Sequence, residues 1–505
     1  MIVIDGNSLS LAVVARVARD DAAIALSPEA RARVAASRQV IDRALENGAV
    51  IYGVTTGFGK LSEIRIGPDE LQQLQINLLR SHASGVGELL EQREVRAALL
   101  LRANTLAKGF SGVRPVVIET LIEMLNRRVH PVVPSRGSVG ASGDLAPSAH
   151  MALVLIGAGE AVYQDERLPG AEAMRRAGIA LLELQAKEGL ALLNGTQFMA
   201  AVGGLAVNRA LTLIETADVA GSLSLEVLLG TPAASDSRIH RLRPHPGQQQ
   251  TAANILRLLR GSAIVESHRD CGRLQDAYSL RCIPQVHGAV RDALAHVREI
   301  LEREINSATD NPLVIPEDGE ILSGGNFHGA PLAHALDYAA LALADLASIS
   351  ERRLERLVNP DLSGLPPFLS RNPGLSSGYM MLQVMAAALV SENKILAHPA
   401  SVDSIPTSAN KEDHVSMGMT SALKLKSLVD NVATVIAGEI LAACQAMEFR
   451  KPLEPGEGTR RALALVREHV PPLHNDREVT PDVEMIARLI RENQFSRLLV
   501  DDAAS

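Results

Sequence analysis

Apolar residues recur three or four apart along most of the chain beyond residue 200. In QVHGAVRDALAHVREILEREI, Val286, Val290, Leu294, Val297, Leu301 and Ile305 fall on one stripe, which predicts a helix with one buried face. The Ala- and Leu-rich stretch from Pro331 to about Val358 predicts a second helix, with Pro331 tolerated in its first turn. From about Glu412 to Phe449 the chain has no proline, and Leu425, Leu428, Val429, Val432, Val435, Ile436 and Ile440 keep the same spacing. At ~1.5 Å per residue that segment would extend roughly 55 Å. Helices longer than a small domain is wide predict side-by-side packing in a bundle and against neighbouring subunits, hence a homo-oligomer. The first 200 residues differ: helices such as Glu91–Lys108 alternate with Gly- and Pro-rich loops, and strand candidates such as Glu160–Gln164 are short. The expected organisation is mainly α, with an N-terminal region over 1–200 and a long-helix bundle and C-terminal region over 201–505, joined without a flexible linker.

A chain of 505 residues is too long for one hydrophobic core. Hydrophobic residues at 47% and charged residues at 21% describe a folded globular protein. Aromatic residues make up only 2%, with no Trp and five Tyr, so the core must be aliphatic. The net charge is -8 and no block of five or more Lys or Arg occurs, which argues against nucleic acid as a partner. Asp5 stands where a signal peptide would carry basic residues, and no uninterrupted apolar run reaches the about 18 residues of a membrane span. A cytoplasmic protein with no membrane partner is expected. Cys271, Cys282 and Cys444 form no CxxC pair and leave an odd count, which predicts free thiols and no metal site.

Residues 137–150 read GSVGASGDLAPSAH. Ser142 has no histidine close in sequence, and the nucleophile-elbow order GxSxG is absent. The backbone itself can be the reagent instead. If the amide nitrogen of Gly143 attacks the carbonyl carbon of Ala141, loss of two waters gives an imidazolone ring carrying the dehydrated Ser142 side chain. Gly143 has no Cβ to block the approach, Ala141 is small enough for the bend, and the Ser142 hydroxyl leaves to create an exposed C=CH2 electrophile. Asp144 and Pro147 fit a helix start, whose dipole would favour negative charge nearby.

GSVGASGDLAPSAH resembles the signature of the aromatic amino acid ammonia-lyases and aminomutases. The similarity extends through YGVTTGFG at 52–59, LLRSHASGVG at 78–87, LLNGTQ at 192–197, QDAYSLRCIPQVHG at 275–288, SATDNPL at 307–313, GGNFHG at 324–329 and SVDSIPTSANKEDHVSMG at 401–418. The resemblance implies an L-aspartase-like, mainly α fold and a homotetramer with active sites shared between subunits. It also implies the electrophile 4-methylideneimidazole-5-one (MIO), made autocatalytically from Ala141, Ser142 and Gly143 with no external cofactor. By the same resemblance, Tyr52 takes the substrate β-proton, Tyr278 assists, Arg281 binds the substrate carboxylate, Asn194 and Gln275 lie near the MIO and the amine, and Phe327 packs beside the MIO. Were residues 278–281 helical, Tyr278 and Arg281 would share a face.

Ser81 and His82 stand where relatives acting on tyrosine or phenylalanine carry His-Leu or Phe-Leu. A polar pair here, with Glu412, suits an imidazole better than a benzene ring, because burying a carboxylate against an apolar ring is costly. The expected substrate is therefore L-histidine, with trans-urocanate as product. An MIO-dependent lyase or 2,3-aminomutase acting on another aromatic amino acid such as tyrosine is the alternative. Lys411, where many relatives carry Gln, would either pair with Glu412 or point to solvent. A pyridoxal phosphate enzyme would need a Schiff-base lysine and a phosphate cup, and neither motif is seen.

Overall fold

A computed structural model describes residues 1–20 and 22–499; the last residues of the 201–505 region lie outside it. Helix accounts for 59% of the chain and strand for 7%, so the class is mainly α. The chain divides into two compact units. One comprises Met1–Asn208, Arg298–Asp337 and Pro399–Leu423; the other comprises Arg209–Val297, Tyr338–His398 and Lys424–Ser505.

The first unit is built around the helix Gln92–Ala107, in which every residue from Glu94 onward is buried. Its start is fixed by reciprocal bonds between Glu91 and Glu94, which satisfy donors the helix cannot use itself. Against it pack Leu11–Arg19 and Pro115–Asn126. The helices Leu71–His82, Leu145–Leu155 and Glu188–Leu193 pack on one another. The strands are short, two to four residues each. Glu160–Tyr163 pairs antiparallel with Glu166–Pro169. The predicted strand ends one residue early, because Gln164 and Asp165 take φ of +51° and +63° and form the turn that matches strand twist.

Four long helices, Gln197–Val227, Ile283–Glu304, Ala330–Val358 and Gly418–Met447, carry the periodic stripes. Leu425, Leu428, Val429, Val432, Val435, Ile436 and Ile440 are all buried, as are Val290, Leu294, Val297, Leu301 and Ile305. Val286 is only half-buried; Ile283 and His287 take the core positions of that turn. In the second unit these helices are pinned by a charged network with no exposed member. Glu439 accepts from Arg353 Nε at 2.5 Å and from Ser224 and Ser350 at 2.6 Å each. His287 bonds through Nδ1 to Asp218 at 2.9 Å and through Nε2 to Arg353 at 3.4 Å. Each charge there has a partner, as burial requires.

The longest predicted helix begins at Gly418 rather than near Glu412. Ser408, Ala409, Asn410 and Met417 all have positive φ, which no right-handed helix accommodates. Three of the four long helices are apolar and long enough to cross a membrane, but their apolar windows are 72%, 61% and 78% buried within the protein. That surface is consumed by helix packing.

Candidate active site

The segment Ala141–Gly143 is held from both sides within the first unit. Upstream, Gly140 O accepts from Ser416 Oγ at 3.0 Å, and Val139 O accepts from Met417 N at 2.8 Å. Ala141 packs with Val415 and Met417. Downstream, Gly195 N donates to Ser142 O at 3.1 Å and Asp144 N donates to Gly195 O at 2.8 Å. This parallel bridge engages the peptide groups flanking Gly143 and leaves the Gly143 N–H out of the ladder. Gly143 has φ +80°, and a Cβ there would lie 2.2 Å from Gly195 O. Gly140 has φ +71°, with Ser416 Oγ 2.1 Å from where its Cβ would stand. Both positions therefore require glycine.

Ser142 lines a cavity of about 400 Å³ together with Tyr52, Ser81, His82, Asn194 and Glu412. Ser142 Oγ donates to Glu412 Oε1 at 3.0 Å, and Thr407 Oγ1 donates to Oε2 at 2.6 Å. Lys411 is exposed, while both Glu412 oxygens are engaged by Ser142 and Thr407, so the solvent-facing alternative for Lys411 holds. Glu412 sits in an antiparallel bridge with Thr407, not at the mouth of a helix. His82 is the last residue of its helix, and its Nδ1 lies 2.9 Å from Leu78 O, a carbonyl one turn back that also accepts from Ser81 Oγ at 3.2 Å. A carbonyl only accepts, so the proton sits on Nδ1 and Nε2 remains an acceptor. Burial holds the His82 imidazole below its ordinary value, against the Leu78 bond and the Glu412 charge, and keeps it neutral. Tyr52 hangs on a tight loop in which its hydroxyl oxygen accepts from Gly59 N at 3.2 Å. Leu61, Ile64, Leu74, Leu78 and Leu190 supply apolar wall.

Beneath the cavity lie buried charges that carried no signal in the sequence. Arg102 is fully buried and donates to Ala191 O at 3.0 Å, to Asn194 O and to Ser148 Oγ at 3.3 Å. Burial lowers its guanidinium to about 10, offset in part by Asp310 and Asp144. Lys187 and Asp310, both buried, pair at 2.7 Å. The Asp144 side chain leaves its own helix uncapped and instead accepts from Met199 N at 2.7 Å, in the first turn of Gln197–Val227. Burial raises its carboxyl to about 6.

The remaining candidates are not among the residues that line this cavity. Phe327 is half-buried on the segment whose Gly329 N donates to Gly140 O at 3.4 Å. Gln275, Tyr278 and Arg281 belong to the second unit. Residues 278–281 do form a helical turn, with the Arg281 guanidinium 4.5 Å from the Tyr278 ring centroid. Tyr278 is 70% exposed and Leu274 99% exposed.

The aromatic amino acid lyase family matches residues 9–468. The chain belongs to that family. This lyase is 58% identical over 504 residues to a histidine ammonia-lyase of Koribacter versatilis, covering 97% of this chain and 98% of that protein. A histidine ammonia-lyase of Myxococcus xanthus is 55% identical over 494 residues, covering 98% and 97%. Among solved structures, the histidine ammonia-lyase of Trypanosoma cruzi superposes with a TM-score of 0.92 at 43% identity, covering 99% of this chain and 94% of that one. The tyrosine aminomutase of Streptomyces globisporus gives 0.94 at 39% identity, covering 98% of each. The lyase thus shares one fold with enzymes of two different outcomes, and its own cavity must separate them.

Proposed function

We propose that this lyase removes ammonia from L-histidine to give trans-urocanate, using an MIO formed from Ala141, Ser142 and Gly143. The observation that carries this reading is the Ser142 hydroxyl in a cavity that also presents two acceptors, His82 Nε2 and the Glu412 carboxylate. The loop fits the cyclisation: glycine is required at 140 and 143, and the attacking Gly143 nitrogen is not tied into the bridge. MIO, once formed, supplies an electrophilic carbon for the substrate amine.

The chain's own residues do the rest. Acceptors suit an imidazole ring, which carries one N–H donor when neutral and two when protonated, whereas the ring of phenylalanine offers none. Tyr52 takes the β-proton, and Tyr278 assists. Arg281 clamps the substrate carboxylate as a bidentate donor. Asn194 and Gln275 face the amine, and Phe327 packs beside the ring at 141–143. Because Gln275, Tyr278 and Arg281 stand on an exposed segment with Leu274, another subunit of a homotetramer completes each cavity. The helix Met380–Leu396 supports assembly, since it leaves Met381, Val384 and Ile395 exposed. The enzyme works in the cytoplasm.

Incubation with L-histidine, L-tyrosine and L-phenylalanine in parallel tests the reading. Urocanate alone, without a β-amino acid, is the expected result; a β-amino acid product from any of the three would establish an aminomutase instead.

A further inference from the structure

The Asn194 side chain is held in a way its neighbours dictate chemically. Its Nδ2 donates to Asp310 Oδ1 at 3.2 Å and to Asn311 O at 2.8 Å. An ionised carboxylate and a carbonyl can only accept, so both hydrogens of the amide must point at them. The oxygen, which has no hydrogen-bond partner among the described residues, is left to the cavity that Asn194 lines. Lys187 Nζ donates to the other oxygen of Asp310 at 2.7 Å, with both side chains sealed from water, so the buried carboxylate has a cationic partner on one side and Asn194 on the other. Lys187 holds φ +77°, a conformation that suits glycine, yet glycine would supply no ammonium.

We infer that the buried Lys187–Asp310 pair is a positioning device that fixes the Asn194 amide with its oxygen toward the substrate amine. This rests on the ammonia-lyase reading above. The orientation matters because the amine reacts through its lone pair. An amide oxygen accepts an N–H of the amine and leaves the lone pair free; a flipped amide would donate an N–H to that lone pair and occupy it. Lys187 and Asp310 touch neither substrate nor the 141–143 segment; they act through Asn194.

The test is a mutant cycle. Lys187→Met with Asp310→Asn removes both charges together, so no lone buried charge remains, and leaves a residue at 310 that can donate or accept. This double variant, Asn194→Ala, and the triple variant are compared with wild type by intact mass, far-UV circular dichroism and steady-state urocanate formation. The expected result is wild-type helicity and the full loss of two waters in the double variant. Its kcat falls at least about tenfold while KM shifts less than about threefold. Asn194→Ala, costly in the wild-type background, then costs less than about threefold in the double variant. Unchanged kcat, an undiminished Asn194→Ala effect, or a double variant that folds without losing two waters would each overturn the inference. If the double variant does not fold, Asp310→Glu keeps the charge for Lys187 but displaces the oxygen that holds Asn194, and the same cycle applies. Wild-type protein that yields no urocanate would instead overturn the functional reading.

Discussion

Gly143→Ala tests the maturation of the site at its tightest point. A β-carbon at 143 would stand 2.2 Å from Gly195 O and 2.4 Å from Gly195 C, both backbone atoms that cannot rotate away. The φ of +80° adds roughly 1–2 kcal/mol for a non-glycine residue. Relief of the clash requires the 142–144 and 195 strands to separate by about 1 Å, toward normal van der Waals contact. That movement breaks the bonds Gly195 N to Ser142 O at 3.1 Å and Asp144 N to Gly195 O at 2.8 Å. At about 1 kcal/mol for each bond, the turn loses roughly 3–4 kcal/mol in all. The conformation competent to cyclise then falls roughly 10²–10³-fold in population. Intact mass spectrometry reads the result directly: if wild type cyclises as proposed and loses two waters, the variant should retain most of them, and urocanate formation should fall with it. Gly364→Ala is the matched control, because its φ of +63° is also positive while nothing lies within 4 Å of its added carbon. A Gly143→Ala protein that loses both waters completely would refute the argument from backbone crowding.

Three further outcomes follow from the geometry. His82→Leu removes one acceptor for the substrate ring and should lower kcat/KM for histidine roughly 10–100-fold. In wild type the same acceptor exists only on neutral His82, whose pKa burial lowers, so its acid limb in kcat/KM lies below pH 6.5. Between that lowered value and 6.5 the unfolded chain binds more protons, so stability from His82 rises with pH through the window and is flat above it; a limb that persists in His82→Leu would assign it elsewhere. Glu439→Ala strands the buried Arg353 guanidinium and two serine hydroxyls, and should cost roughly 3–5 kcal/mol in urea unfolding, where a loss under about 1 kcal/mol would show the network to be dispensable. Co-expressed Ser142→Ala and Arg281→Ala chains, each inactive alone, should recover part of wild-type turnover if sites are shared between subunits, and none if each chain completes its own.

The sequence by itself determined most of the long helices and singled out the 141–143 segment as the candidate reactive loop. Helical stripes such as Val290–Ile305 and Leu425–Ile440 are local: the three-to-four spacing places those side chains on one face whatever lies opposite. The glycines at 140 and 143 and the serine between them are likewise a local signature. What lies beneath and around the site could not be read that way. Arg102 looks like any helical arginine until the fold seals it against the carbonyls of Ala191 and Asn194. Lys187 and Asp310 stand 123 positions apart, and Ser142 and Glu412 stand 270 apart. The start of the last long helix at Gly418 was decided by the turn that carries Glu412 to Ser142, which overrides the helix-forming pattern of the residues before it. Periodicity reports which side of an element is apolar; only chain closure in three dimensions selects which distant charges meet there, because the desolvation that makes those charges matter does not exist until the fold forms.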